Sequence, residues 1–267
     1  MQYLIDTQAA TIRCLPDQDR DQDQGQGRLI DFYSQEGFRL LSGLWLKQEW
    51  NLLHWQSFSW LGFQIWQLPE DLLRIQEVLA VLRPDVILET GVKRGGSAIF
   101  FASLCRLLGR GRVISIDIEI PVDVRTALAT SPLGDLITLI EGDSVAPPVV
   151  AQARALIGGG DRVLVFLDSN HTKAHVLAEL TAYADLVTPG SYVVVTDGVM
   201  RSLAHTPAGR PAWVEDNPAA AAQAFAAAHS DFVIDRPRAR FRDECWVEEL
   251  TYWPDAWLKR LGPPAAV

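Results

Sequence analysis

The sequence predicts an α/β fold with a doubly wound, mostly parallel sheet, preceded by a helical, tryptophan-rich extension. Two observations carry this prediction. From residue 69 onward, short apolar runs typical of buried strands alternate with longer segments whose apolar residues recur at helical spacing. In the first such unit the run Val86–Thr90 is followed by Gly91, Gly95 and Gly96 and then by a helical segment. This strand–turn–helix order lets backbone N–H groups approach a ligand closely.

The first 68 residues are predicted to form an amino-terminal extension, separate from a main domain at 69–267. Residues 1–15 are expected to form a short strand or helix. The stretch 16–28 has few apolar residues and is rich in aspartate, glutamine and glycine. We therefore expect a flexible linker there, with a phosphate-binding or metal-binding role for its aspartates as the alternative.

Residues 29–68 carry five of the nine tryptophans, at steps that fit neither a helix face nor a strand face. These five are Trp45, Trp50, Trp55, Trp60 and Trp66. They either pack in the core and in a subunit interface or, for one or two rings, form the wall of a substrate pocket. We expect the extension to serve in oligomerisation or as a substrate cap, in a homo-oligomer.

The main domain is predicted to begin with a helix at Pro69, because proline suits a first helical turn and acidic residues follow it. The expected strands are 86–90, 112–118, 137–141, 163–168 and 192–196. The expected helices that follow them are 97–108, 122–130, 146–157, 172–187 and 218–228. Two late strands, 231–235 and 245–252, are expected to form an antiparallel edge. The link 199–217 is either a lid or a surface loop.

The overall composition excludes several classes of protein. The formal net charge is −9 and the pI is about 5.0, which argues against nucleic acid as a partner. The three cysteines are scattered, so neither a disulfide framework nor a zinc site is expected. No apolar run is long enough to span a membrane, so we expect no membrane span. The scattered cysteines favour a reducing compartment, and the amino-terminal residues lack a basic region followed by an apolar one, so we expect a cytoplasmic location.

Each of the five parallel strands is followed or ended by acidic residues. Since ligands bind outside the carboxyl ends of parallel strands, these residues indicate a binding cleft. They are Glu89, Asp117, Glu141 with Asp143, Asp168, and Asp197, and Ser144 directly follows Asp143. Glu89 is placed to bond a polar or cationic cofactor group. Asp117 lies roughly 20 residues beyond the glycines, where an acid can hold a ribose diol.

The last two acids indicate a metal site. Asp168 and Asp197 offer hard oxygen ligands of the kind that Mg²⁺ or Ca²⁺ prefers. His171 follows Asp168 by three residues and lies where a general base would be needed. These residues predict a metal-assisted reaction in the second half of the cleft.

Several segments resemble the cephalosporin hydroxylase family, which includes rhamnosyl and macrolide-sugar O-methyltransferases. The most specific is the Leu-Asp-Ser-Asn-His-Thr motif at 167–172. Further matching segments are 87–97, 114–118, 175–180, 189–192 and 257–260. The resemblance runs from about residue 60 to residue 261. It implies a Rossmann-like class I methyltransferase fold that uses S-adenosyl-L-methionine (SAM).

The resemblance also implies a role for each candidate residue. The methionine part of SAM would be held by Glu89, Gly91, Gly95 and Ser97, the ribose by Asp117, and the adenine side by Asp143 and Ser144. Mg²⁺ would be bound by Asp168 and Asp197, with His171 as the catalytic base. Thr196 stands where some relatives carry a second acid, which leaves the third protein ligand open. The segment 238–253 also departs from the family pattern.

We therefore predict a SAM- and Mg²⁺-dependent O-methyltransferase acting on a hydroxyl of a sugar or glycosylated natural product. The first alternative is a metal-dependent hydroxylase, because Asp168, His171 and His175 could form a two-histidine, one-carboxylate iron site. A nicotinamide oxidoreductase lacks support because no GxGxxG fingerprint is present. A non-catalytic binding module is the third alternative, if Thr196 marks a decayed site.

Overall fold

The amino-terminal part combines a small antiparallel sheet, one long helix and a hairpin in the computed structural model, which describes residues 2–15, 27–238, 240–241 and 250–262. Its elements are β1 (Gln2–Asp6), β2 (Thr11–Leu15), β3 (Arg28–Asp31), α1 (Gln35–Asn51), β4 (Ser59–Trp60) and β5 (Phe63–Gln64). The extension is thus helical in its central part and begins as a sheet. Arg28, which the sequence analysis assigned to the linker, begins β3, and residues 16–26 lie outside the described residues.

From Pro69 the chain alternates helices and strands, and the predicted α/β class is confirmed. The elements are α2 (Pro69–Leu82), β6 (Val86–Thr90), α3 (Gly96–Leu108), β7 (Arg112–Asp117), α4 (Val122–Thr130), β8 (Ile137–Glu141), α5 (Pro147–Ala155), β9 (Val163–Leu167), α6 (Lys173–Tyr183), β10 (Tyr192–Val195), α7 (Met200–Leu203), α8 (Pro218–Ala228), β11 (Phe232–Asp235) and β12 (Trp257–Arg260). Local sequence explains several of the helix ends. Thr172 and Asn217 cap α6 and α8 with their side-chain oxygens, and Gly109 ends α3 in the left-handed conformation.

The central sheet has the strand order β11-β12-β10-β9-β6-β7-β8. The five strands from β10 to β8 run parallel, whereas β12 is antiparallel to both of its neighbours. The chain leaves β6 toward β7 and β8 on one side and later places β9 on the other side of β6. That reversal is a topological switch point, where open α/β sheets bind ligands.

The antiparallel edge exists, but one of its two strands lies elsewhere than predicted. β11 agrees with the expected strand 231–235, and its partner in the sheet is β12. Residues 250–252 of the other expected strand are not in a strand, and 245–249 lie outside the described residues. The tryptophan that begins β12 packs in the core, so this strand lacks an alternating pattern that would have revealed it.

Alternate residues of the parallel strands fill two cores, one on each face of the sheet. Val86 and Leu88 pack in a core with residues of α5, α6 and α8. Ile87, between them, faces a second core that contains residues of α2 and α3. Both faces of the sheet are therefore covered, as expected for a parallel sheet.

Trp50 joins the amino-terminal extension to two distant segments of the main domain. Its ring centroid lies 5.7 Å from that of Trp55, 6.4 Å from that of Trp213 and 5.2 Å from that of Tyr252.

The link 199–217 is not a bare loop, since it contains α7 and a 3₁₀ turn at Pro211–Val214. None of the helices within the described ranges has the length and apolarity needed to cross a membrane.

The buried carboxylate of Asp71, in the first turn of α2, holds the segment that carries Tyr252. It accepts a hydrogen bond from the backbone N–H of Tyr252 at 2.8 Å and one from the hydroxyl of Thr251.

Asp71→Ala would leave the buried N–H without this acceptor. We expect a loss of about 2 kcal/mol in the free energy of unfolding, measured by urea denaturation. The matched control is Asp123→Ala, an exposed aspartate in the first turn of α4, with an expected loss of about 0.5 kcal/mol. Equal losses in both variants would contradict this account.

Candidate functional site

Two loops meet in direct backbone contact at the switch point. The glycine turn follows β6 and the second loop follows β9. Gly91 has a φ of +94°, and a side-chain carbon there would lie 2.1 Å from the carbonyl oxygen of Asp168. The N–H of Asp168 donates to the carbonyl of Thr90 at 2.9 Å. Only glycine satisfies both the backbone conformation and the close approach.

A cavity of about 600 Å³ opens above this contact. It is lined by the glycine turn, the ends of β7 and β8, the loop after β9 and several aromatic side chains. Eight of the ten predicted site residues line it: Gly91, Ser97, Asp117, Asp143, Ser144, Asp168, His171 and Asp197. Trp50, Trp55, Trp66 and Tyr252 line it as well, so three of the five early tryptophans border a pocket.

Glu89 and Gly95 do not line the cavity. Gly95 precedes α3 with a φ of +80°, and a side-chain carbon there would meet the side chain of Leu128 at 3.0 Å. Its role is therefore to shape the turn, and it does not face the cavity as the sequence analysis assumed. Glu89 is fully buried in β6, where it accepts a hydrogen bond from the hydroxyl of Ser115 at 2.6 Å. Burial raises the pKa of Glu89 to about 7.

Asp117, at the end of β7, fastens the glycine turn. One oxygen of its carboxylate accepts hydrogen bonds from the backbone N–H groups of Val92 at 2.8 Å and Lys93 at 2.9 Å. Lys93 has a φ of +47°, which is unusual outside glycine. Asp117 thus supports this turn conformation while its carboxylate lines the cavity. The first turn of α3 begins beside it, and the N–H groups of such a turn have no partner within the helix.

A buried carboxylate connects the loop after β8 with the loop after β9. Glu179 of α6 is fully buried and accepts hydrogen bonds from the hydroxyls of Ser144 at 2.6 Å and Ser169 at 2.7 Å. His175 lies 3.2 Å from the Ser144 hydroxyl and 3.4 Å from Glu179. The hydrogen bond with Glu179 raises the pKa of His175. The Ser144 hydroxyl is therefore engaged within the protein, whereas Asp143 presents its carboxylate to the cavity rim.

Asp168, His171 and Asp197 form a compact cluster that lines the same cavity. One potential ligand atom from each lies within 4.8 Å of the others, and Nε2 of His171 is 3.4 Å from Oδ2 of Asp197. Burial raises the pKa of both carboxyls, and for Asp168 the charge of Asp197 adds to the effect. Burial lowers the pKa of His171. Two partly buried acids that repel each other suit a divalent cation, whose charge would lower the pKa of both carboxyls again.

Local backbone structure explains how Asp197 reaches this cluster. Thr196 follows the last residue of β10, and Asp197 comes next. The backbone φ of Asp197 is +59°. Aspartate tolerates this left-handed conformation better than most residues, and such conformations concentrate at functional sites. Thr196 is fully buried, and its hydroxyl donates to Oδ1 of Asp168. Thr196 thus contacts the cluster as a hydrogen-bond donor, and His171 is the third group that could bind a metal.

The sequence analysis missed Gln67. This residue is buried beside α2, and its Nε2 donates to Oδ2 of Asp168 at 2.7 Å, across 101 residues of sequence. No local pattern marks it, because a single glutamine between a tryptophan and an apolar helix start has no periodicity. Only its position next to Trp66, one of the candidate pocket residues, points toward the site.

The cavity thus has two chemically different halves that fit a nucleoside cofactor and a divalent cation. One half offers a helix amino terminus and the carboxylates of Asp117 and Asp143, which suit polar and hydroxyl groups. The other half offers two partly buried carboxylates and an imidazole as metal ligands. A hard cation prefers such oxygen ligands. The residues present therefore fit both SAM and Mg²⁺.

Comparison with known proteins identifies relatives of the chain. A family model described as rhamnosyl O-methyltransferase/CmcI matches residues 53–261. The rhamnosyl O-methyltransferase of Mycobacterium leprae (strain TN) is 33% identical over 145 residues, which cover 54% of this chain and 61% of that protein. The match thus spans about three fifths of that curated relative. The family resemblance predicted from the sequence is confirmed.

Solved structures of CmcI have the same fold. The apo structure of CmcI is 20% identical, with a TM-score of 0.54 and coverage of 78% of each chain. The CmcI structure described as Mg–SAM is 22% identical, with a TM-score of 0.53 and the same coverage. At these identities the similarity establishes the fold, and the chemistry has to be argued from the residues of this chain.

The raised pKa of Glu89 predicts a pH-dependent stability. Burial raises the pKa of Glu89 to about 7 in the folded protein, from an ordinary value of 4.5. The contribution of this group to stability therefore falls as the pH rises through that interval, by roughly 3 kcal/mol in total. We expect Glu89→Gln to be more stable than the parent protein at pH 8, with the difference vanishing toward pH 4.5. Urea denaturation at pH 5 and pH 8 measures both. An equal difference at the two pH values would contradict the assignment, and Glu119→Gln is the exposed control.

Proposed function

The chain belongs to the rhamnosyl O-methyltransferase/CmcI family, and from this premise we propose that it is a SAM- and Mg²⁺-dependent O-methyltransferase acting on a hydroxyl of a sugar or glycosylated natural product. One observation carries the proposal. A single cavity is lined both by the glycine turn with Asp117 and by the cluster of Asp168, His171 and Asp197. This arrangement lets a methyl donor and a metal-bound acceptor face each other. Positioning of that kind supplies much of the acceleration of a transfer reaction.

The cofactor half would hold SAM through the glycine turn and the neighbouring strand ends. Gly91 and Ser97 would border the methionine part, with the positive end of α3 facing its carboxylate. Asp117 would accept hydrogen bonds from the ribose hydroxyls, and Asp143 and Ser144 would border the adenine. Glu89 acts from beneath the turn, and Gly95 through the shape of the turn.

The acceptor half would activate the hydroxyl. When bound, SAM supplies the electrophilic methyl group, and Mg²⁺ held by Asp168 and Asp197 supplies a charge that lowers the pKa of the acceptor hydroxyl. His171 would take the proton. Its lowered pKa keeps the imidazole neutral near pH 7, which a general base requires. Water is kept from the reacting groups by the aromatic wall.

The aromatic wall supports a carbohydrate acceptor. Trp50, Trp55, Trp66 and Tyr252 border the cavity, and aromatic faces pack well against the apolar faces of sugar rings. The rhamnosyl O-methyltransferase of Mycobacterium leprae acts, by its name, on a rhamnosyl group. We extend that substrate class, a sugar hydroxyl, to this chain. The extension 1–68 would then act as a substrate cap that supplies three of the four rings.

The extension would also serve in a homo-oligomer. Helix α1 exposes apolar side chains at Leu44 and Trp45, and Leu52 directly after it is 70% exposed. An apolar surface of this kind suits contact with a second copy of the chain. A monomer by light scattering at micromolar concentration would exclude this assembly. The cytoplasmic location stays a prediction from composition.

The hydroxylase alternative finds no second histidine in the cluster. His175 is held by Ser144 and Glu179, and the group formed by the described residues contains two acids and only His171. That donor set departs from a two-histidine, one-carboxylate iron site.

The function is tested by the metal requirement and by four variants. Methyl transfer from labelled SAM to a panel of rhamnosides and other glycosides should stop with a chelator and return with Mg²⁺, without oxygen or iron. Asp168→Ala and Asp197→Ala should each remove most of the turnover but leave SAM affinity in calorimetry largely intact. His171→Ala should lower turnover by about 10² to 10⁴ with Mn²⁺ still bound. His175→Ala should cost much less.

Two outcomes would contradict the proposal. Product formation that requires oxygen and Fe²⁺ would restore the hydroxylase, above all if His171→Ala and His175→Ala both lost the metal. Loss of Mn²⁺ in His171→Ala alone would make this histidine a metal ligand and not the base. The matched histidine control is His229→Ala. This residue directly follows α8 and does not line the cavity.

A further inference from the structure

The position of Gln67 suggests a role that no pattern in the sequence indicates. Its side chain is 3% exposed, and it follows the β4–β5 hairpin and precedes α2. Its Nε2 donates to Oδ2 of Asp168 at 2.7 Å. The amino-terminal region thus reaches the acidic cluster through one buried amide, 101 residues away in sequence.

Asp168 is held by a neutral donor on each of its oxygens. Gln67 donates to Oδ2, and the hydroxyl of Thr196 donates to Oδ1. A carboxylate has about four lone-pair sites, so each oxygen keeps one for a further partner. Neutral donors fix the orientation of the carboxylate without cancelling its charge, whereas an arginine or lysine in the same place would compete with a cation. Outer partners of this kind tune metal affinity in many proteins.

The second atom of the same amide supports a role in the site. Oε1 of Gln67 is buried and has no hydrogen-bond partner among the described residues. A buried amide that served only to attach the extension would be expected to have both of its polar groups paired. Gln67 also lines the cavity, next to Trp66. A hydroxyl group entering the cavity is the kind of donor that could satisfy this oxygen.

We propose that Gln67 is a positioning residue that orients Asp168 for a divalent cation and so makes metal affinity depend on the amino-terminal segment. The inference rests on the proposed function only through the metal. It requires neither SAM nor acceptor to be bound. If it is right, the hairpin that carries Trp60 and the residue that orients Asp168 form one short segment, and displacement of that segment weakens the metal site.

Titration of the whole protein with Mn²⁺, followed by electron paramagnetic resonance, tests the inference. Gln67→Met removes the amide at nearly equal volume, and Gln67→Asn keeps an amide but withdraws it by one methylene. Both variants should bind Mn²⁺ about 10- to 100-fold more weakly, with the SAM dissociation constant changed less than twofold and the thermal midpoint close to that of the parent protein. The matched control is Gln223→Met, which removes a 3.0 Å glutamine–aspartate hydrogen bond to Asp255 at the surface. It should leave Mn²⁺ affinity unchanged.

The outcomes separate this inference from the proposed function. If the parent protein binds no Mn²⁺, the proposed function fails. If the parent protein binds Mn²⁺ and both Gln67 variants bind it equally well, the positioning role is wrong. Parallel losses of Mn²⁺ affinity, SAM affinity and thermal stability would show that Gln67 only attaches the extension. That result would also overturn the positioning role. Should Gln67→Met fail to fold, the Gln67→Asn titration decides.

Discussion

The backbone contact between Gly91 and Asp168 is the constraint on which the site depends. Because β6 and β9 are neighbours at the switch point, the turn after one and the loop after the other emerge side by side. A side-chain carbon at residue 91 would collide with the carbonyl of Asp168. Glycine at this position therefore brings together, at one cavity, the turn proposed to bind the nucleoside and the acid proposed to bind the metal.

The charges of three acidic side chains are the second constraint on the site. Glu89, which is fully buried, and Asp168 and Asp197, which are partly buried, are acids with raised pKa values. Burying carboxylates without a counter-charge reduces the stability of the free protein. Neutral donors hold two of these acids in place, the Ser115 hydroxyl for Glu89 and the Gln67 amide for Asp168. The protein is thus prepared to receive positive charge, which both a divalent cation and the sulfonium of SAM carry.

Patterns within single elements were enough to predict the parallel sheet and most of the site. The apolar strands and the residues just beyond them are local features, so Asp117, Asp168, His171 and Asp197 could be placed at one edge before any coordinates. Gln67 could not, because its role arises from a contact across 101 residues. Glu89 and Gly95 were assigned to the methionine part of SAM from the family resemblance, whereas in the structure neither lines the cavity. The strand at 257–260 lacked alternation, because its first residues are buried on both faces.

The most direct test of the account is a crystal structure of the protein grown with S-adenosylhomocysteine and Mn²⁺, with anomalous data collected for manganese. The account predicts one anomalous peak within coordination distance of carboxylate oxygens of Asp168 and Asp197. It also predicts the nucleoside in the same cavity, on the side of the glycine turn and Asp117. A manganese peak elsewhere, or a nucleoside outside this cavity, would contradict the claim that the switch point joins a methyl donor to a metal-bound acceptor.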